Sequence, residues 1–460
     1  MMFDFFYTLC YNTFAMKDCI VSISTPVGKG AVAIVRMSGK DSLPVALTLF
    51  HSKHIKNDEI MPRYMYFGTF SISQNTKEEC LMVYFKAPFS YTGEDIVEFQ
   101  IHGGVLLAQK VVEACLSAGA RMAEPGEYSK RAFLNGKITL DKAEAIIGEI
   151  NAETEGELAS SLQVTNGLLS QKILNEQEKI KTMLAELEVG MDYPDETEEL
   201  NLKLDIKERL SQTQKEIEDI LSQSQSATYL KNGINVALLG KTNVGKSSIM
   251  NALLGENRAI VTDVKGTTRD SITESFFYNG IKINLIDTAG IRETEDIVES
   301  IGIEKSKQNL RNADLVLFVL DGSEKESEED RQIERLLTGK KYITLINKTD
   351  KKRVLPKRAN EIEISALENK NLDTLKDKIL TMVLNEEIDF NNLVLTNERQ
   401  LQILKDAILI LAEIQNTQNI SLDILSMLTK KLWQTLGKIT GNTENEDIIN
   451  LIFSKFCLGK

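Results

Sequence analysis

The chain has 460 residues, 42% hydrophobic and 26% charged, with a net charge of −13. Such a length predicts two or three domains, each able to bury a core, and the composition reads as soluble and globular. The acidic balance argues against non-specific wrapping of nucleic acid, which needs a basic surface, and no apolar run approaches the ~20 residues of a membrane-spanning helix.

Residues 1–16 are aromatic-rich and nearly uncharged, with no basic start and no small-residue cleavage site, so a secretory signal is not indicated. They are expected to be a non-native or disordered extension, with Met16 as the functional beginning. The first domain is expected over 17–135, as a small α/β unit. Cys19 to Ile23 and Ala31 to Arg36 read as strands of a hairpin. Gly28 to Ala33 formally fits the G-x-G-x-x-A dinucleotide fingerprint, but that motif must open a helix and this turn feeds a β-branched run. Further strands are predicted at Leu81 to Phe85 and Asp95 to Ile101, then a helix from Val105 to Ala118. His102, at the turn between them, reads either as a ligand contact or as a turn residue satisfied by backbone.

From Lys137 the pattern becomes helical. Ile173, Ile180, Leu184 and Leu187 recur at helical spacing, as do Ile206, Leu210, Ile217 and Leu221, with a turn near Met191 to Asp195 between the two runs. Residues 232–391 change character: short apolar strands alternate with helices, the doubly wound pattern of a Ras-like α/β domain. Helical character returns from Asn397, where Asn397 to Gln400 and Thr443 to Glu446 read as helix N-caps with a reciprocal partner. The economical organisation is a helical domain, 136–231 and 392–460, interrupted by an inserted α/β domain. Five scattered cysteines without C-x-x-C, and three histidines, indicate neither a disulfide framework nor a structural zinc site, and a reducing cytoplasm is the expected compartment.

Four motifs in the inserted domain carry chemistry. Gly240-Lys241-Thr242-Asn243-Val244-Gly245-Lys246-Ser247 fits the phosphate loop G-x-x-x-x-G-K-[ST], after a predicted strand at 234–239 and before a helix beginning Ser247-Ser248. Its glycines let backbone N–H groups face phosphate oxygens at a helix N-terminus, Lys246 can reach the outer phosphates, and Ser247 can hold Mg²⁺. Next comes Gly266-Thr267-Thr268, where a threonine hydroxyl can complete the Mg²⁺ shell. A strand at 283–286 then ends in Asp287-Thr288-Ala289-Gly290, placing a carboxylate to hold Mg²⁺ through water and an N–H to sense a γ-phosphate. Another strand, 342–346, ends in Asn347-Lys348-Thr349-Asp350. Asp350 can accept two hydrogen bonds from a guanine edge, a donor pair that adenine lacks, and Lys348 can lie along the base plane. Ser365 and Ala366 follow a last strand, and their backbone can meet the guanine carbonyl.

These motifs, in this order at strand ends, define a guanine-nucleotide site similar to that of the translation-factor-related GTPases. Ile291 stands where Ras-like GTPases carry the glutamine that orients the attacking water, so another group must do this; Glu293, Glu295 and Glu299 lie downstream. Asn243 reads either as a seat for a monovalent cation or as a loop residue bonding its own backbone.

From about Asp18 to Lys460 the chain resembles the bacterial and organellar tRNA-modification GTPases MnmE or TrmE. The resemblance rests on Thr25 to Gly30, Tyr91-Thr92-Gly93-Glu94-Asp95, Pro125 to Lys137, the inserted GTPase cassette and the terminal Cys457-Leu458-Gly459-Lys460. It implies an N-terminal domain that dimerises and binds a 5-formyl- or methylene-tetrahydrofolate, with Arg36, Glu98, Lys137 and Lys460 at the folate-contacting positions. It also implies potassium-dependent pairing of the GTPase domains, with Asn243, Thr262, Val264 through its backbone, and Thr267 matching the potassium ligands. Ser247 and Thr268 match the Mg²⁺ ligands; Glu299 matches the residue that orients water through a second molecule, and Arg292 lies near it. With a flavin-dependent partner, as a heterotetramer, the family adds an aminomethyl-type group to C5 of the wobble uridine of certain tRNAs.

Leu458 replaces a common isoleucine, and Lys241 is expected to be a neutral exchange. Cys457 reads either as a thiolate favoured by Lys455 and Lys460 or as a small buried hydrophobe. Two functions compete: a modification enzyme that hydrolyses GTP, and a regulatory or ribosome-assembly GTPase. A ribosome-assembly GTPase usually appends a basic RNA-binding module, whereas these flanks are acidic helices, a folate-type domain and a terminal Cys-x-Gly-Lys, which favours the first.

Overall fold

The computed structural model describes residues 18–55, 59–193, 199–224, 227–255, 273–287, 313–358, 360–384, 393–457 and 459–460. They gather into two compact units: one of residues up to Ile147 with Val164–Leu210 and Leu409–Lys460, the other of Gly148–Gln163 and Ser211–Ile408.

In the first unit, strands β1 (Ile20–Ile23), β2 (Val32–Ser38), β3 (Phe50–His51), β4 (Met65–Ser71), β5 (Lys77–Phe85), β6 (Ile96–His102) and β7 (Arg121–Met122) form one sheet, ordered β3-β4-β5-β6-β2-β1-β7. The stretch after Gly28 runs into β2, antiparallel to β1, so the hairpin reading stands against the dinucleotide one. β5 begins four residues before its expected start because its polar residues Lys77 to Cys80 pair with Gly68 to Ser71 of β4; backbone pairing carries them where apolar patterning does not. Alternate residues of β2 and β6 (Val35, Met37, Val97, Phe99) pack on helix Val105–Ser117 through Ala108, Val111 and Cys115.

The same unit holds a long helix, Leu168–Asp192, whose buried face is Leu169, Ile173, Ile180, Met183 and Leu187. It packs along Leu422–Thr440, where Gln177 donates to the Trp433 carbonyl at 3.0 Å. Gly437 allows this approach, since a Cβ there would lie 2.6 Å from Gln177 Nε2. Helix Glu446–Ser454 seats against helix Glu127–Leu134, burying Phe133 and Phe453. Its cap differs from expectation: Asn445 accepts from the Asp447 N–H at 2.9 Å, while Thr443 donates its hydroxyl to the Gln434 carbonyl and so serves the preceding helix. Asn397 does cap Glu398–Asn416, accepting from Arg399 N–H at 2.9 Å.

The second unit is built on β8 (Ile234–Leu239), β9 (Thr273–Tyr278), β10 (Ile281–Asp287), β11 (Leu315–Asp321), β12 (Tyr342–Asn347) and β13 (Glu361–Glu363), ordered β13-β12-β11-β8-β10-β9. All are parallel except β9. β11 is buried along its whole length, as its unbroken apolar run requires of a central parallel strand. Helices Lys246–Leu254 and Leu372–Val383 contribute to one core cluster, and Glu328–Arg335 to a second with Phe318 and Ile346. The order reverses at β8, between β10 and β11, so the crevice beyond the end of β8 is where a ligand seats in such folds. Among the described residues, no helix is long and apolar enough to cross a membrane.

Candidate guanine-nucleotide site

β8 delivers the chain into the phosphate loop at that crevice. Asn243 and Gly245 adopt left-handed backbone angles (φ 65° and 98°), and Gly245 caps helix Lys246–Leu254. A Cβ at Gly245 would overlap the Asn347 amide nitrogen, and one at Gly240 would overlap the Val319 carbonyl of β11, so glycine is required at both. Val244 is buried, and its carbonyl accepts from Asn347 Nδ2 at 2.9 Å. The Lys246 ammonium donates back to the carbonyls of Gly240 (2.7 Å) and Lys241 (2.9 Å). Ser247 and Ser248 are exposed in the first helical turn, where backbone N–H groups have no helical partner and attract an anion.

β12 ends at Asn347, which joins two loops. Its amide donates to Val244 and its Oδ1 accepts the Ala366 N–H at 3.2 Å. Lys348, at φ 64°, donates to the Asn243 carbonyl at 2.8 Å. Asp350 is exposed, and one of its oxygens accepts from the Ser365 hydroxyl at 2.7 Å. That bond, then a backbone N–H, holds its carboxyl below the ordinary carboxylate value, so it presents an anion to any donor pair. The structure thus brings together Asn243, Val244, Gly245, Lys246, Asn347, Lys348, Asp350, Ser365 and Ala366. Asp287 closes β10, opposite Leu238 of β8. Thr262, Val264, Thr267, Thr268, Thr288, Ala289, Gly290, Arg292 and Glu299 lie outside the described residues.

Sequence reasoning missed two residues of this region. Lys241, expected to be a neutral exchange, pairs through its ammonium with Glu324 at 2.9 Å and Asp330 at 3.5 Å. Asp321, at the end of β11, is paired with Lys348 at 2.5 Å. Burial pulls the Asp321 carboxyl up, but Lys348 and the Ser323 hydroxyl and N–H outweigh it and leave it below its ordinary value. The available signal was the apolar run Leu315 to Leu320 ending in an aspartate, the pattern that singled out Asp287.

The first unit holds the other expected residues. Arg36 and Glu98 face each other across β2 and β6 and pair at 2.7 Å. Tyr128 donates to the Arg36 carbonyl at 2.7 Å, and the Arg36 guanidinium lies 5.8 Å from its ring centre. Lys137 donates to the Pro88 carbonyl at 2.9 Å. The C-terminal end is fastened to the stretch after β1: Ser24 donates to the Gly459 carbonyl at 3.3 Å, and the Lys460 N–H to the Cys457 carbonyl at 3.3 Å. Cys457 is exposed, which overturns its reading as a buried hydrophobe; helix Glu446–Ser454 has ended and Phe456 takes the core position beside it. His102 is the last residue of β6 and opens the turn, where its carbonyl accepts from the Gly104 N–H at 2.8 Å, while its exposed ring has Nδ1 2.6 Å from Glu78 Oε1.

The chain is similar to known proteins. The family of the MnmE helical domain matches residues 140–457, and that of the GTP-binding protein TrmE N-terminus matches 19–137. The tRNA modification GTPase MnmE of Clostridioides difficile (strain 630) is 41% identical over 457 residues, covering 97% of this chain and 100% of that protein. Its namesake from Lactococcus lactis subsp. lactis (strain IL1403) is 39% identical over 455 residues, covering 96% and 98%. The G domain of the T. maritima FeoB iron transporter is 29% identical over 32% of this chain and 98% of that one, with a TM-score of 0.25. Near-full-length identity to these relatives, on a chain whose phosphate loop and Asn-Lys-x-Asp motif fold against each other, makes this protein a member of the MnmE family of tRNA modification GTPases, an enzyme that binds and hydrolyses GTP.

Proposed function

We propose that the protein hydrolyses GTP while, with a flavin-dependent partner, it modifies C5 of the wobble uridine of certain tRNAs, using a tetrahydrofolate one-carbon donor. It acts in the cytoplasm as a homodimer, joined by its partner in a heterotetramer. The observation that carries this reading is the fastening of Gly459 to Ser24 in the unit that holds the Arg36–Glu98 pair. It gives the terminal Cys-x-Gly-Lys a fixed place in the unit proposed to hold the folate.

On this reading Lys246 exchanges two loop carbonyls for phosphate oxygens, and the N–H groups of the loop and of Ser248 hold the rest of the phosphate chain. Asp350 reads the guanine edge, Lys348 its face, and Ser365 and Ala366 its carbonyl side. The exposed Ser247 hydroxyl, in the first turn of helix Lys246–Leu254, fits as a ligand for Mg²⁺-bound phosphate. Ser247 and Thr268 would hold the Mg²⁺, and Asn243, Thr262, Thr267 and the Val264 carbonyl a K⁺; both ions would supply positive charge to the phosphate oxygens. Thr288, Ala289 and Gly290 follow Asp287 as a γ-phosphate sensor, and Glu299 orients the attacking water, with Arg292 as a second catalytic residue. In the first unit, Arg36 and Glu98 offer a donor and an acceptor to a polar ring edge, with Lys137 and Lys460 as cations for a folate carboxylate. The tetrahydrofolate would supply one carbon, and Cys457 is the exposed nucleophile available to that chemistry.

Deleting the gene and analysing tRNA nucleosides by mass spectrometry tests the reading. Loss of the C5 substituent at the wobble uridine supports it; unchanged nucleosides would leave a regulatory GTPase. GTP turnover should also rise about tenfold or more in potassium over sodium, a modest share of what an arginine finger supplies, and Asn243→Ala should erase that rise.

A further inference from the structure

We infer that Asp321 is a positioning residue of the nucleotide site, tying guanine recognition to the phosphate loop through Lys348. The inference rests on reading residues 240–247 and 347–350 as the GTP site. Asp321 closes β11 directly opposite Asn347 of β12. Its side chain is 2% exposed. One carboxylate oxygen accepts from the Ser323 N–H (2.9 Å) and hydroxyl (2.7 Å). The other lies 2.5 Å from the Lys348 ammonium, which donates to the Asn243 carbonyl at 2.8 Å. The next residue reinforces the grip. Gly322 donates to the Asn347 carbonyl at 2.9 Å, and a Cβ there would sit 2.9 Å from Ile346 Cγ2.

A lysine is a compact charge on a stem of four flexible carbons. Left alone it samples many rotamers and prefers water. A buried carboxylate fixes the ammonium at one point, and a fixed stem is what a guanine face needs to lie on. Because that ammonium also holds the carbonyl of Asn243, a residue in left-handed backbone, it ties down the turn that aims the loop's N–H groups. Base recognition and phosphate binding therefore share one ion pair. Asp321 is buried while Lys348 is partly exposed, so losing Lys348 leaves a buried carboxylate with only its Ser323 bonds, and losing Asp321 frees the lysine to move.

The test is release of a fluorescent GDP from the full chain, followed by stopped flow. Asp321→Asn keeps an oxygen for Ser323 but removes the charge facing Lys348, so release should be about tenfold faster, the loss of one charge-assisted hydrogen bond. Lys348→Met should accelerate release to a similar degree. The double variant, in which no charge is buried alone, should release no faster than Lys348→Met. A role in packing alone would multiply the two effects, and that result overturns the inference, as does an Asp321→Asn rate within about twofold of the parent. The double variant against Lys348→Met decides the matter even if Asp321→Asn does not fold. Lys246→Ala separates the two readings. If it binds GDP normally, the site is misassigned and both fall; if it loses GDP while Asp321→Asn is silent, only the role of Asp321 falls.

Discussion

The nucleotide loops and the Arg36–Glu98 region are held together in opposite ways. In the loops, charged and amide side chains are caught by backbone carbonyls: Asn347 by Val244, Lys348 by Asn243, Lys246 by Gly240 and Lys241. In the first unit, side chains from distant stretches hold one another. Arg131, buried, reaches Asp18, Glu94 and Glu127, and Arg121 pairs with both Asp18 and Glu127. A site caged by carbonyls keeps its shape when a surface charge changes, and it depends on the cations that fill it. A scaffold of charge pairs depends on every partner, and on pH.

The largest separation of the two should come from Gly126→Val. Gly126 sits at φ 71° at the start of helix Glu127–Leu134, and a Cβ there would overlap the Phe453 carbonyl. A β-branched residue combines left-handed strain with a backbone clash, so the loss of stability should exceed ~4 kcal/mol, read by urea denaturation of the first unit. A loss below ~1 kcal/mol would mean that helix Glu446–Ser454 is not seated there as described.

Lys246→Ala comes next. The ammonium that now donates to two carbonyls would instead meet phosphate, and losing two charge-assisted bonds should weaken GDP binding about 100-fold in a fluorescence titration, with little change in folding. Affinity within about threefold of the parent would break the carbonyl-cage description, because the cation would then be filling nothing.

The same contrast explains what could be read from the sequence. The loops are short and lie at strand ends, so β8, β10 and β12 came out within two residues of their bounds, while the Asn347–Val244 and Lys348–Asn243 contacts between the motifs came only with the structure. The doubly wound fold was legible because β11 up to Leu320 and β8 beyond Asn235 are apolar runs. Asp321 showed only as an aspartate closing an apolar run; its pairing did not, because Lys348 follows β12 and the register of β11 on β12 brings the two together. The Arg131 network was illegible for the same reason, since Asp18, Glu94 and Glu127 meet only after β1 and β7 pair. Thr443 misled as a cap because a threonine hydroxyl serves a preceding carbonyl as readily as a following N–H.

Acid should expose the pair-held scaffold. For Glu127, burial pulls the carboxyl up, but the Arg121 and Arg131 guanidinium groups and the Glu124 N–H outweigh it, so it lies below the ordinary 4.5. A carboxyl depressed in the folded state contributes its full stability above its unfolded value; that contribution shrinks as pH falls below 4.5 and is gone once the folded value is passed. Glu127→Gln should therefore melt well below the parent at pH 7, where Arg131 has lost a buried partner, and the gap should narrow steadily below pH 4.5. A gap that stays constant down to pH 3 would show that the carboxylate's charge is not what Arg131 uses.

Lys241→Met is the smallest effect and the finest probe of the contrast, since Lys241 is a charge pair placed inside the carbonyl cage. Its ammonium meets Glu324, whose side chain is 58% exposed, so solvent screens most of that attraction. The second partner, Asp330, is buried but already accepts from the Ser327 N–H and hydroxyl in the cap of helix Glu328–Arg335. Losing Lys241 leaves that carboxylate bonded, and the Lys241 carbonyl that receives Lys246 belongs to the backbone and survives the exchange. GDP release should then quicken by no more than about threefold, under ~1 kcal/mol, and the remaining difference should fade in high salt. An acceleration matching that of Asp321→Asn would show that this exposed pair holds the loop as firmly as the buried Asp321–Lys348 pair does.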